Sequence, residues 1–450
     1  MLIRNAEVAG RPGLDVRVGE TVLEVGVGLS RRQGEPELAA QGGALLPGLH
    51  DHHVHLRAWA AARASVPLAG VRDPEQFDRL IRAASDELPE GGWLRGVGWH
   101  EGSAGELDRR RLDALTGDRP ARVQHRTGAL WVLNSAALRR TGRVDAPGFE
   151  RDADGEPTGR LWRLDGWLRD RLPAIVGDVT ALAGEAARNG VTGFTDATPG
   201  RDQADVDSLA DLGLRQRLTL MAPPGLVARP GVTLGAQKFV LDDDTLPTAA
   251  ELAVLVADSH RQRTPVAIHC VTAEQLIIAL AALEDAGSHP GDRVEHAGIV
   301  PPGFAARLAA ARISVVTNPG FLAGRGDDYR RDVAPAEQDW LYPARSLADA
   351  GVALAAATDA PFGPTDPWVA IKAAIDRRTA RGHELNPDER LTPAEALDLF
   401  LRDPADLTLT RTVEPGEPGD LCLLRAPLAT VLAAPSADWV ETVLLPREPG

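Results

Sequence analysis

The sequence predicts an α/β fold: a (β/α)8 barrel, a small β-rich domain built from both chain ends, and a large insertion after the first barrel strand. Three observations predict it. Eight strand-like runs, most followed by helical text, recur through the middle of the chain. Strands that alternate with helices make parallel sheets, and eight such units suggest a barrel. Both ends of the chain read as short strands, and one connection is far longer than a βαβ unit needs.

Residues 1–45 contain "MLIRNAEVA", "DVRVGETVLEVGVG" and "ELAAQGGALL", which alternate or run apolar and break at Gly, Pro and Asp. Residues 406–450 contain similar strand–turn–strand text in "VEPGEPGDLCLLRAPL" and "WVETVLLPRE". The two ends are expected to meet in one composite domain. The barrel is expected over 46–405. Its strands are placed in 43–56, 190–197, 214–223, 235–242, 265–271, 292–300, 311–319 and 350–361. Helical runs such as "AAELAVLVADSHRQR" and "EQLIIALAALEDAG" lie between them. The first two strands are separated by roughly 130 residues, against the few tens of an ordinary crossover. That segment, 57–185, holds six of the nine tryptophans. It leaves the C-terminal end of the first strand, where barrel enzymes carry their sites, and is expected to be an active-site cover.

Composition narrows the function classes. The chain has 450 residues, 44% hydrophobic and 25% charged, with a formal net charge of −15. That balance fits a soluble globular protein and argues against nucleic acid or an anionic membrane as partner, and a small-molecule substrate is the expected partner. It is compatible with a homodimer. The two cysteines, Cys270 and Cys422, are too far apart in sequence for a CxxC metal site and make no disulfide framework. "MLIRNAEVAGRPG" lacks a basic segment followed by an apolar one, and no uncharged apolar run reaches about 18 residues. The expected location is cytoplasmic.

The chemistry is concentrated at the strand ends. "HDHHVH" puts four of the eleven histidines at positions 50, 52, 53 and 55. On a regular strand Asp51, His53 and His55 share one face and His52 points to the other. An H-x-H pair then aims two imidazoles into one space about 7 Å apart at Cα, a bite suited to a metal ion. His50 and His52 are expected to be structural, and Asp51 to orient a ligand histidine from behind. Four later strands also carry a ligand type near the end of a run that should be buried: Lys238 in "GAQKFVLD", His269 in "PVAIHCV", His296 in "DRVEHAGIV" and Asp359 in "ALAAATDAP". A buried charge without a partner is costly, so such a series is not expected by chance. In a barrel these ends converge on one mouth. Cys270 alternates away from His269 and is expected in the core. His125 and Arg126, in the insertion, and Asn318, after the seventh strand, are candidate substrate contacts, with His100 a further polar residue of the insertion.

This ordered set of motifs resembles the amidohydrolase superfamily, and within it the YtcJ-like branch (amidohydrolase family 3) of metal-dependent hydrolases. "PGLHDHHVHL", "QKFVLDD", "AIHCV", "VEHAGIV", "ATDAPFGPTDP" and "PGEPGDLCLL" carry the resemblance, with "RTGALWVLNSAAL" and "DGEPTGRL" for the branch. It implies a TIM-type barrel with a β-sandwich made from both termini, and a binuclear metal centre. By this resemblance His53, His55 and Asp359 hold the more buried ion, and His269 and His296 the more exposed one. Lys238, carboxylated on its amine, bridges the two. His nitrogen and carboxylate oxygen suit zinc first, with manganese, iron or nickel as alternatives. The implied reaction is hydrolysis of a non-peptide C–N bond, in an amide, N-substituted formamide or cyclic amide, with Asp359 as catalytic proton shuttle.

The sequence departs from the family in places. Ala129 stands where relatives often carry His, "HCVTAEQL" lacks a Gly-Asp pair common after the fifth strand, and Asn318-Pro319 replaces a common Gln-Pro. These changes weaken any transfer of a specific substrate. Hydrolysis of an ester, lactone or phosphoester by the same site is the first alternative. An inactive scaffold is the second, and the retention of all six ligand types argues against it.

Overall fold

The computed structural model describes residues 1–173 and 177–445. It is an α/β protein that divides into two compact units, Met1–His55 with Thr180–Gly450, and Leu56–Val179.

The first unit is organised around two all-parallel sheets. One has four strands in the order β4-β3-β2-β1, where β1 is Leu49–Val54, β2 Val191–Asp196, β3 Arg217–Leu220 and β4 Val232–Leu234. The other runs in chain order through β5 (Gln237–Val240), β6 (Val266–Cys270), β7 (Arg293–His296), β8 (Ser314–Thr317) and β9 (Leu354–Ala356). Parallel strands are covered on both faces, so most of their residues are buried whatever their polarity. All residues of β1, β2, β7, β8 and β9 are buried. Only Gly235 and Ala236 separate β4 from β5. Across this break the Gly235 N–H donates to Leu220 O, and the Ala222 N–H to Ala236 O. At the other extreme the Asp359 N–H donates to His53 O, and the His55 N–H to Ala360 O, joining the ends of β9 and β1.

Helices between the strands start where the sequence supplies caps. Ala249–Arg261 and Ala273–Ala286 each open with a capping box, Thr248 with Glu251 and Thr272 with Gln275. Each box satisfies two otherwise orphaned backbone N–H groups. The second helix buries Leu276, Leu280 and Leu283. Each such leucine contributes about 1.5–3 kcal/mol on leaving water.

Both chain ends lie in this unit. Leu2–Val8 pairs antiparallel with Arg11–Val18 and parallel with Glu37–Ala39. Leu421–Leu424 pairs antiparallel with Leu45–Pro47 and with Val440–Leu444. Ile3, Ala6, Val16, Val413, Leu421 and Leu423 belong to one hydrophobic cluster.

The second unit has a six-stranded mixed sheet running from Phe149–Arg151 to Val66–Pro67. Its core contains Phe77, Ile81, Leu94, Trp99, Leu112 and Val123. The guanidinium groups of Arg95 and Arg122 stand over the Trp131 ring, at 5.1 and 5.0 Å from its centroid. Among the described residues no helix is long and apolar enough to cross a membrane.

Candidate metal centre

The local shape of β1 differs from the regular strand expected. Against β2, Asp51 lies opposite Phe194 and Val54 opposite Asp196, so three steps of β1 match two of β2. This slip is a β-bulge, and it resets the alternation of faces. Asp51 therefore does not back the histidines from their own face. Its carboxylate accepts from the Thr358 N–H (3.0 Å) and Thr358 hydroxyl (2.5 Å), and more weakly from the His53 N–H (3.4 Å). It ties β1 to the segment carrying Asp359 and orients no imidazole. Burial pushes its pKa up to about 7 against those hydrogen bonds. His50 and His52, two apart on β1, pair with ring centroids 4.6 Å apart, and both are buried.

The structure brings His53, His55 and Asp359 together. The ligand atoms they offer lie within 4.8 Å of one another. Asp359 Oδ1 is 3.3 Å from His55 Nε2 and 3.7 Å from His53 Nε2, and it is buried without a hydrogen bond. The other ring nitrogens explain why. His53 Nδ1 is hydrogen-bonded to Glu295 Oε2, a carboxylate, so that nitrogen is the donor. His55 Nδ1 lies 3.2 Å from Thr198 Oγ1. With the proton on Nδ1, His53 presents an Nε2 lone pair to the Asp359 oxygen. Electron-pair donors facing one another in a buried site fit a cation.

His296 and His269 continue the row. Ring centroids are 4.9 Å apart for His53 and His296, and 4.5 Å for His296 and His269. Asn318, expected at the substrate, is buried and spends its amide elsewhere. Its Nδ2 donates to Ala357 O at 3.1 Å, which turns Oδ1 towards His296 Nδ1 at 2.7 Å. His296 Nδ1 is thereby a donor and its Nε2 is free of the proton. His296 and Asp359 have φ of 69° and 55°, in the left-handed region that non-glycine residues rarely enter. Such outliers gather at functional sites.

Lys238 Nζ is buried with no hydrogen-bond partner. Burial pulls its pKa down to about 8, against the pull of Glu295 and Asp359. Burial, then Lys238, pushes His53 down to about 3. Burial also lowers His296. Neutral imidazoles are the form that ligates metal. Cys270 is buried in the core, and burial raises its thiol pKa.

His125 and Arg126 lie in the second unit. His125 Nε2 is 3.1 Å from Glu101 Oε2, and its ring centroid is 5.4 Å from that of His100. His100, Glu101 and His125 form a second group of closely spaced ligand types.

Glu295 and Arg293 were not singled out in the sequence. Glu295 is fully buried between His53 and Arg293. The signal was present in "DRVEH": two charges spaced i, i+2 in a buried strand.

A model of the Amidohydrolase family matches residues 37–444. YtcJ of Bacillus subtilis (strain 168) is 23% identical over 444 residues, covering 84% of this chain and 83% of that protein. The N-substituted formamide deformylase of Arthrobacter pascens is 26% identical over 444 residues, covering 82% of this chain and 80% of that enzyme. Among solved structures, an uncharacterized metal-dependent hydrolase from Pyrococcus horikoshii OT3 superposes with a TM-score of 0.77 at 19% identity, over 96% of this chain and 99% of that one. The chain belongs to the amidohydrolase family and is a hydrolase.

Proposed function

We propose that this member of the amidohydrolase family is a metal-dependent hydrolase of a non-peptide C–N bond, in an N-substituted formamide, amide or cyclic amide. The observation that carries the reading is the facing set of His53 Nε2, His55 Nε2 and Asp359 Oδ1, buried together with no proton to share between His53 and Asp359. The similarity to a formamide deformylase supports the bond type.

In this reading β4 and β5 are two halves of one strand, and the nine segments form a (β/α)8 barrel closed where Asp359 meets His53. The two chain ends make a β-sandwich, and the segment 57–185 is an inserted domain. His53, His55 and Asp359 would hold one ion and His269 and His296 a second, and Lys238, carboxylated on its amine, would supply anionic oxygens to both. Its amine suits that chemistry: it is buried, unpartnered and depressed to about 8, so an appreciable fraction is the neutral nucleophile that carbon dioxide requires. Bound divalent cations, zinc before manganese, iron or nickel, supply Lewis-acid polarisation of the carbonyl and acidify the attacking water.

Asp359 accepts a proton from that water and returns it to the departing nitrogen. Its backbone is fixed for the task by the hydrogen bond to His53 O. The amide and water become a carboxylate, or formate, and an amine. Glu295, Thr198 and Asn318 hold the three imidazoles. The test is a hydrolysis screen of N-formyl and N-acyl amines beside lactones and esters, with chelated and zinc-restored protein. Zinc-dependent release of amine is expected. Turnover of lactones alone, or turnover indifferent to chelation, would overturn the reading.

A further inference from the structure

The fully buried pair Arg293 and Glu295 has no part in the ligand set, yet it occupies the most protected position beside it. Glu295 is 0% exposed and Arg293 5%. Burying an ion pair costs several kcal/mol per charge in desolvation, so core packing alone seldom justifies one. Glu295 Oε2 takes the hydrogen bond of His53 Nδ1, and Arg293 Nε bonds Glu295 Oε1. Arg293 Nη2 reaches Glu295 Oε2 at 3.1 Å and the backbone carbonyl of His52 at 2.7 Å. Both oxygens of the carboxylate are therefore committed, and the guanidinium is anchored to the residue that precedes His53. The links form a closed loop: His53 ring, Glu295, Arg293, His52 carbonyl, and back along the chain to His53.

That loop does two things. It decides which nitrogen of His53 carries the proton, leaving the Nε2 lone pair towards Asp359. It also fixes the rotation of the ring, because the carboxylate is itself clamped by a planar guanidinium in a rigid fork. The bulge of β1 lies between Asp51 and Val54, so the backbone that bears His53 lacks regular pairing with β2 there. The Arg293 bond to His52 O supplies a tether at that irregular place.

We infer that Glu295, held by Arg293, is the positioning residue of this centre: it sets the tautomer and orientation of His53 as a metal ligand. The inference rests on the metal-dependent reading above. The carboxylate accepts the Nδ1 proton's hydrogen bond throughout and does not itself enter the reaction.

The experiment compares wild type with Glu295→Gln, which keeps the volume and removes the charge. Each protein is loaded with cobalt(II), and the visible ligand-field spectrum and the competition against a chelator are read. The variant is expected to bind metal about ten- to a hundredfold more weakly, with a shifted spectrum. Arg293→Lys is expected to show the same shift in smaller measure, since lysine keeps the charge and loses the fork. A purely structural role would lower Tm and leave spectrum and affinity unmoved, and that result overturns the inference. Where the single variant fails to fold, Arg293→Met/Glu295→Gln removes both buried charges and is read in the same way. Nitrogen-15 histidine NMR on the wild-type holoenzyme gives an answer independent of any variant. It is expected to show His53 protonated at Nδ1, and a proton-free Nδ1 overturns the inference. Wild-type protein that binds no metal would instead refute the functional reading. Wild type that binds metal, beside an indistinguishable Glu295→Gln, refutes the positioning role alone.

Discussion

Two regions of this molecule hold nearly the same parts and differ in where the protons are. The centre in the first unit has His53, His55 and Asp359; the cluster in the second has His100, His125 and Glu101. In the centre, His53 Nδ1 is committed to the Glu295 carboxylate, so a lone pair faces Asp359. In the cluster the arrangement is inverted. His100 Nδ1 accepts from the Gly102 N–H at 3.2 Å, and His125 Nδ1 accepts from the Thr127 N–H at 3.3 Å. The neutral rings then carry their protons on Nε2, facing Glu101. In the cluster the protons point at the carboxylate, with Nε2 of His125 and His100 at 3.1 and 3.8 Å from Glu101 oxygens, whereas in the centre a lone pair does, an arrangement that fits a cation. Residue type and proximity do not distinguish them. The partner on the far side of each imidazole does.

The comparison can be broken in several ways, the largest expected effect first. Asp359→Asn keeps the shape and removes the proton acceptor. It should lower kcat by about 10²- to 10⁴-fold, and unchanged turnover would end the shuttle role. Lys238→Ala should lower metal occupancy and activity together. A short carboxylic acid added to the variant should restore part of both, because it returns the missing anionic oxygens; elemental analysis with and without acetate reads this. Thr198→Val removes the partner of His55 Nδ1 while the neighbouring Asp196–Arg201 pair remains. Metal affinity should fall by about tenfold, towards the weaker end of such outer-partner effects.

The smallest expected effect on the reaction centre belongs to the other region. Burial, opposed by Glu101, leaves His125 with a folded-state pKa lowered to about 4. The unfolded chain then binds the extra proton first, so stability is intact above about pH 6.5 and is lost as pH falls from there towards 4. His125→Gln should flatten that acid limb of Tm against pH and leave metal binding unchanged.

Much of the centre was legible in the sequence because ligand types stand out at the ends of apolar strands. Lys238, His269, His296 and Asp359 each put a ligand type near the end of a strand expected to be buried. What could not be read was local irregularity. Strict alternation placed Asp51 with His53 and His55, and the bulge in β1 moved its carboxylate to Thr358. The same rule, applied to "VEH", makes Glu295 and His296 point oppositely. His296 escapes the rule through its left-handed φ, which lets both neighbours serve one centre. Asn318 is a substrate-contact candidate because Asn318-Pro319 stands where the family commonly carries Gln-Pro. Its amide is oriented by Ala357 O, a long-range contact that sequence spacing does not reveal.

Elemental analysis of three purified proteins, wild type, His53→Ala and His125→Ala, tests the contrast most directly. The account predicts two divalent ions per chain in wild type and in His125→Ala, and a loss of metal in His53→Ala. Metal near zero in wild type, or metal lost with His125 and retained without His53, would contradict it.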